Sequence, residues 1–306
     1  MNHPFQARFA WTLIPLLLAA GCGAGSGHRS VDTPPRSIPI INARTAEMES
    51  FAQVVNTLEH AEVIILGEEH DDLLASRFQV ELVRALHAQR AGMVLALEMV
   101  ERDRQELLDE YLAGSIDQSR FVEGVREGAK GRAVFVEHTM PLIELARQLG
   151  IRVVAANAPR YLVRAARVEG YEHLEAMPEE TRRLFDIPES LDAGPYRRRV
   201  EELMGSRTGA ILEADRVDAF MRAQELWDQT MACSVMREVQ NGGRPVVLVV
   251  GRFHGDFKGG TITRILEQDP GIDLRYVVTL GSAPGGLRLE DADRADHVLY
   301  TGKPSS

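Results

Sequence analysis

The chain has 306 residues, 44% hydrophobic and 26% charged, a balance that excludes a disordered segment and allows one large core or two small ones. Its formal net charge is -10 and no run of clustered Lys and Arg stands out, which excludes a nucleic-acid surface.

Residues 1–21 read as a secretory signal peptide. One cation, Arg8, precedes an apolar stretch from Phe9 to Ala20 that is too short to span a bilayer and ends in small residues. Leu18-Ala19-Ala20-Gly21-Cys22 resembles the lipobox of bacterial lipoproteins. That likeness implies cleavage before Cys22, lipidation of its thiol by palmitate and anchoring to the lipid membrane of the cell envelope. Gly23 after the cysteine, rather than Asp, points to the outer membrane of a Gram-negative cell. With Cys22 lipidated only Cys233 remains, so no intrachain disulfide is expected. Residues 22–38 are rich in Gly, Ser and Pro and read as a flexible tether, leaving 39–306 as the folded domain.

Within that domain the first strand-like run is Glu62–Leu66, and a helical pattern follows over Leu73–Gln89. Met93–Glu98 is a second strand, succeeded by helical patterns over Arg104–Ala113 and Pro141–Leu149, and Arg152–Asn157 is a third. Residues 158–241 carry no strand-like run and are punctuated by Gly and Pro. They read as a helical insert capping the strand ends, with packing on the sheet's flank as the alternative. Pro245–Val250, a helix over Ile262–Gln268 and Arg275–Leu280 complete the alternation. The strands are almost continuously apolar, as strands covered on both faces must be, so the expected fold is α/β with a mainly parallel sheet flanked by helices.

Two stretches share one grammar: "VIILGEEHD" ends a strand at Gly67 and reaches His70, and "VVLVVGRFHGD" ends another at Gly251 and reaches His254. Residues that follow parallel strands lie at the carboxyl edge of the sheet, where open α/β folds bind ligands. Glu98 in "ALEMVERD" and Asn157 in "AANAPR" close two more strands there. Each residue alone has an ordinary explanation, Glu69 or Asp71 as a helix cap for instance. Four polar residues ending four predicted strands make a shared site the stronger reading.

Gly67-Glu68-Glu69-His70, "ALEMVERD", "ANAPR", "LWDQTMA" and "GRFHGDF" together resemble the ChaN-like family of haem-binding or iron-regulated bacterial lipoproteins, grouped with erythromycin-esterase-like and Tiki-like proteins. The likeness runs from about Ile40 to Tyr300. It implies a polar site on Glu68, Glu69, His70, Glu98 and His254, joined by Asp228, and a haem or iron cargo taken up at the envelope. One departure stands near the end: "ADHVLY" has His297 and Leu299 where the family leads us to expect aromatic residues.

Residue chemistry and family name point to different ligands. Haem needs an axial ligand such as Tyr or His, apolar walls and cations for its propionates, and the insert supplies Tyr161, Tyr171 and Tyr196 with Arg160, Arg164 and Arg167 close by, although these arginines read better as an ordinary solvated helix face. Two histidines among carboxylates suit a divalent metal such as Zn, Mn or Fe, held by Glu69, His70, Glu98 and His254. A metal-dependent hydrolase using Glu68, Glu69, His70, Glu98 and His254 is therefore the alternative to a haem-binding lipoprotein. Whether the chain is catalytic, and whether it forms a homodimer around its ligand, stay open at this level. Cys233, in "MACSV", reads as buried core and not as a nucleophile.

Overall fold

Every residue of Val63–Glu68 and of Val246–Gly251 is buried in the computed structural model, which describes residues 32–208 and 213–302. Residues 1–31, on which the expected signal peptide, Cys22 and most of the expected tether fall, lie outside the described residues. In chain order the first half contains β1 (Ile40–Asn42), β2 (Met48–Glu49), α1 (Phe51–Leu58), β3 (Val63–Glu68), α2 (Leu73–Gln89), β4 (Val94–Glu101), α3 (Gln105–Leu112), α4 (Gln118–Val125), α5 (Ala129–Val134), α6 (Met140–Leu149) and β5 (Arg152–Asn157). The second half contains α7 (Arg160–Glu169), α8 (Tyr171–Glu175), α9 (Glu179–Arg182), α10 (Pro195–Thr208), α11 (Ala214–Gln240), β6 (Val246–Gly251), α12 (Thr261–Gln268), β7 (Leu274–Leu280) and β8 (His297–Tyr300).

The described strands form one eight-stranded sheet in the order β2-β1-β8-β7-β3-β6-β4-β5. All pairings from β8 to β5 are parallel, and β1 and β2 add an antiparallel margin. Successive side chains of a strand face opposite ways, and β3 shows what that demands: Ile64 and Leu66 join a core against α1, α2 and α6, while Val63 and Ile65 join one against α11 and α12. A strand with two cores needs two apolar faces, hence its unbroken run of branched residues.

The five strands expected from apolar runs are all present, Arg152–Asn157 with its expected bounds and the others with ends shifted by up to three residues. β1 and β2 are too short, and too polar at their ends, to register as runs. Helix ends follow local chemistry. Ser50 and Gln53 form a reciprocal capping box on α1, Asp72 caps α2 through the amides of Leu74 and Ala75, and Gly150 (φ 68°) ends α6 in the left-handed region. The cap of α2 is thus Asp72 and not Glu69 or Asp71, because only the residue directly before the first turn can reach those amides.

Both placements considered for the insert occur, divided along one helix. The second half of α11 lays Met231, Ala232, Val235, Met236 and Val239 on the sheet. Its first half leaves the sheet and packs Ala223 and Leu226 against Leu162, Val163, Leu174 and Phe185 of the cap. At about 1.5 Å per residue a helix of 27 residues spans roughly 40 Å, enough to serve both layers. Among the described residues no helix is long and apolar enough to cross a membrane.

Candidate functional site

Strand order decides which residues meet. β6 lies between β3 and β4, so the residues that follow β3 and β6, together with the end of β4, are neighbours at the carboxyl edge. The ladder between β4 and β5 loses register between Leu97 and Glu101, an irregularity of the kind that re-aims side chains near functional sites. Glu98 sits within it.

The result is a chain of alternating carboxylates and imidazoles. Gln79 of α2 donates to Glu68 Oε2 at 2.8 Å, and Glu68 Oε1 lies 3.1 Å from His70 Nδ1. His70 Nε2 is 3.9 Å from one oxygen of Glu98, and His254 Nε2 is 3.7 Å from the other. His254 Nδ1 meets Asp228 Oδ1 at 2.8 Å, and Asp228 also accepts from Thr261 and Tyr196, each at 2.7 Å. The Gly251 amide donates to Glu98 as well. A Cβ at Gly251 would stand 2.8 Å from His70 Nε2, so glycine is required for this close approach. The two histidines, 184 positions apart, thus flank one carboxylate.

Burial differs along the chain. The side chain of His70 is 42% exposed, that of His254 is 9% exposed and Asp228 is fully enclosed. Burial alone would lower the pKa of His254, but the charge and hydrogen bond of Asp228, then the charge of Glu98, outweigh it and push it up to about 9. His254 is therefore an imidazolium at neutral pH. His70 is also raised: burial opposes the charged form, while the hydrogen bond to Glu68 and the charges of Glu98 and Glu68 favour it over the repulsion of His254. Tyr196 is driven well above its ordinary value by burial and then by Asp228, and acts as a permanent donor. Glu98 lies at ion-pair and not hydrogen-bond distance from both rings, so the cluster holds protons on its imidazoles, with His70 as its half-open end.

Other expected residues lie elsewhere. Glu69 turns away and pairs with Arg252 at 3.3 Å, so Glu68 is the carboxylate on His70. Asn157 uses Oδ1 to accept from the Ala158 amide and makes no hydrogen bond to the cluster among the described residues. Its strand, β5, lies at the sheet margin beyond β4. Tyr171 donates to the Arg222 carbonyl inside the cap, and Arg167 stacks over Phe220. Cys233 is half-buried, not core, with its thiol pushed up by burial. Among the described residues no group of three or more His, Cys, Asp or Glu is arranged to hold a metal ion. The ring nitrogens of His254 face carboxylates on both sides, leaving no lone pair turned to an open position. The roles of Gln79, Thr261 and Tyr196 carried no sequence signal, because each depends on which helix crosses Asp228 or Glu68.

Tyr161 stands apart from this closed chain. It is 56% exposed, its hydroxyl makes no hydrogen bond among the described residues, and it borders a cleft of about 700 Å³ between β4, α4, α5 and α7. Met99, Val125 and Val134 supply apolar wall, and Arg104, Arg126, Arg160 and Lys130 supply cations. Arg126 donates to the Met99 carbonyl, on the same strand as Glu98, so the cleft and the histidine chain are adjacent. Partial burial, then the charge of Asp103, hold the Tyr161 phenol above its ordinary pKa against Arg104.

Fold and site define an α/β protein with a helical cap and a polar site at the carboxyl edge of a parallel sheet. Residues 54–265 match the family model for "Haem-binding uptake, Tiki superfamily, ChaN", and the chain belongs to that family. Its fold is similar to a structure of ChaN from Campylobacter jejuni described as showing cofacial haem binding, with a TM-score of 0.66, 18% identity, and coverage of 86% of this chain and 96% of that one. Weaker likenesses reach an erythromycin esterase, EreC (TM-score 0.47, 14% identity, 78% of this chain and 76% of that one), and a protein from Bacillus cereus (0.45, 12%, 79% and 76%). Neither of these two bears on chemistry. No curated protein matches the chain.

Proposed function

We propose that this protein binds haem for uptake at the bacterial cell envelope, carried on a lipidated Cys22, and that the haem seat is the cleft around Tyr161. The observation that carries this reading is a half-exposed, unbonded phenol in an open cleft whose lining mixes apolar wall, the cations Arg104, Arg126, Lys130 and Arg160, and the carboxylates Glu101, Asp103, Glu123 and Glu127, in a chain of a haem-binding family. The donor set fits the group. About 700 Å³ lies in the range of sites for ligands of this size. Tyr is an accepted axial ligand of haem iron and Met99 and Val134 offer apolar contact, while Arg104 and Arg160, which lie 3.7 Å from Asp103 and 3.6 Å from Glu101, would have to exchange these long ion pairs for propionates. Haem would supply a ferric centre and a flat apolar ring; this chain supplies the phenol, the wall and the counter-charges. Because Tyr161 is held protonated, its use as a ligand releases a proton to solvent, so binding should tighten as pH rises.

Hemin titration of the residues 39–306 domain tests the reading, with Tyr161→Phe as the key variant. The expected result is a saturable Soret change that weakens at least tenfold in Tyr161→Phe, with sizing of the loaded protein reporting any dimer. Binding no tighter than that of an unrelated acidic protein removes the function, and unchanged binding by Tyr161→Phe removes the seat. For the anchor, Cys22→Ser should release the protein from membranes or leave an uncleaved precursor.

The metal-dependent hydrolase has one supporting observation, the His70–Glu98–His254 chain at the carboxyl edge. Carboxylates already face both imidazoles, which favours proton handling over coordination. A rise in melting temperature on adding Zn or Mn, lost in His254→Ala, would turn the balance toward that reading.

A further inference from the structure

The two walls of the cleft at Tyr161 are not equally fixed. One belongs to β4 and α7, which are rooted in the core by Leu97 and Val100 and by Leu162, Val163 and Ala166. The other wall comes from residues 123–134, none of which is buried. On either side of this segment the chain is firmly held: Phe121 and Phe135 are fully buried with ring centroids 6.0 Å apart, and His138 Nδ1 lies 3.1 Å from the hydroxyl of Ser76 on α2. Within the segment Arg126 is the last pinned residue. Its guanidinium donates to the carbonyls of Met99 and Val125 and stands 5.1 Å from the centroid of the Phe135 ring. From Glu127 to Val134 no side chain makes an ion pair or a hydrogen bond among the described residues.

What gives residues 127–134 their shape is α5 alone, a helix of six residues that contains Gly131 and buries nothing. Fewer than two turns gain too little from their own hydrogen bonds to be stable in water, and glycine weakens them further. Both ends of the helix suit a change of direction. Gly128 precedes it at φ 70°, with nothing packed against its Cα, and Phe135–Thr139 follow it as a widened π-helical turn, a place where helices kink. We infer that residues 127–134 are a lid, hinged at Gly128 and at the π-helical turn, that folds down on a ligand bound against Tyr161. The inference rests on the haem reading for that ligand. Lifting or lowering the lid breaks few contacts, so the motion lies at the low end of local opening free energies. Closure carries Val134 and Lys130 toward the ligand, while Glu127, beside the hinge, moves least. Contacts made only with a ligand in place shift the lid toward its closed state, shield the phenol from water and slow ligand loss.

Hydrogen exchange of the full chain, read by mass spectrometry with hemin as the probe, tests the lid. Without hemin, peptides covering 127–134 should exchange at least tenfold faster than those of α6, which buries five residues. Hemin added to a saturated Soret change should slow them at least fivefold and leave α6 unaltered. Trypsin should cut after Lys130 or Arg132 in the unloaded protein, and at least fivefold more slowly in the loaded one. The double variant Lys130→Ala with Val134→Ala, at two unburied positions, should speed the transfer of hemin to excess apomyoglobin at least fivefold. Exchange of 127–134 as slow as that of α6 without hemin overturns the lid, and so does an unchanged transfer rate in the double variant. Fast exchange that a saturated Soret change leaves unaltered overturns the lid alone, whereas absence of any Soret change fails the haem reading and takes the lid's closure with it.

Discussion

Asp228 holds three donors within 2.8 Å in a fully enclosed position, whereas Tyr161, at the mouth of an adjacent cleft, is 56% exposed and holds none. Both regions lie around the end of β4, and both are built of residues able to bind or react. The first turns the oxygens of Asp228 and Glu68 inward and leaves the Nε2 atoms of His70 and His254 at ion-pair distance from Glu98, which shifts its pKa values and braces cap against sheet. The second keeps a polar atom and an apolar wall open, as a site for an external ligand must. A cluster of ionisable groups is therefore not by itself the place where cargo sits; unsatisfied capacity beside open volume is the better indicator.

Substitutions should separate the two regions by the property they damage. The largest effect is expected from Asp228→Ala, which strands the buried imidazolium of His254 and the hydroxyls of Tyr196 and Thr261. Removing one partner of a buried charged pair costs about 3–5 kcal/mol, measurable in denaturant unfolding. A loss below about 1 kcal/mol would show that the network does not brace the cap.

The pH dependence comes next. The folded-state pKa of His254, about 9, exceeds its ordinary 6.5, so the folded protein binds the proton more tightly than the unfolded chain. This contribution is complete below pH 6.5 and is lost as pH rises through about 9, of order 3 kcal/mol in all. His70 acts in the same direction. Unfolding free energies at pH 6 and pH 9.5 should differ accordingly, and His254→Gln should flatten the difference; a rise in stability with pH across this window contradicts the assignment.

Gly251→Ala should cost about 1–3 kcal/mol, because its Cβ would crowd His70 Nε2 and force that ring off Glu98. An NMR titration should then find the pKa of His70 moved toward its ordinary value. Smallest is Tyr161→Ala, a surface change expected to stay within about 0.5 kcal/mol in stability while hemin affinity falls. Equal damage to stability from Asp228→Ala and Tyr161→Ala would erase the distinction drawn between the regions.

Apolar runs bounded by Gly or Pro are enough to read five strands and the alternation with helices, because a doubly covered strand must be apolar on both faces and the chain shows this locally; the family is legible only through the resemblance of the motifs that follow those strands. The turns at Gly67 and Gly251, with His70 and His254, were readable for the same reason: they follow immediately on strands whose direction is shared. Which glutamate faces His70 could not be read, since Glu68 and Glu69 differ by one position at a strand end and only the crossing of Gln79 and Arg252 separates them. Likewise Asn157 closes a strand as neatly as Glu98 does, yet β5 lies at the margin while β6, nearly 150 residues downstream of β4, slides between β3 and β4. Local pattern determines the elements and the edge to which their polar ends point. Strand order, and with it the partners of each charge, is set by pairings far apart in sequence, where the free energy of packing one sheet face against α11 and α12 and the other against α1 to α6 chooses among orders that the local sequence permits equally.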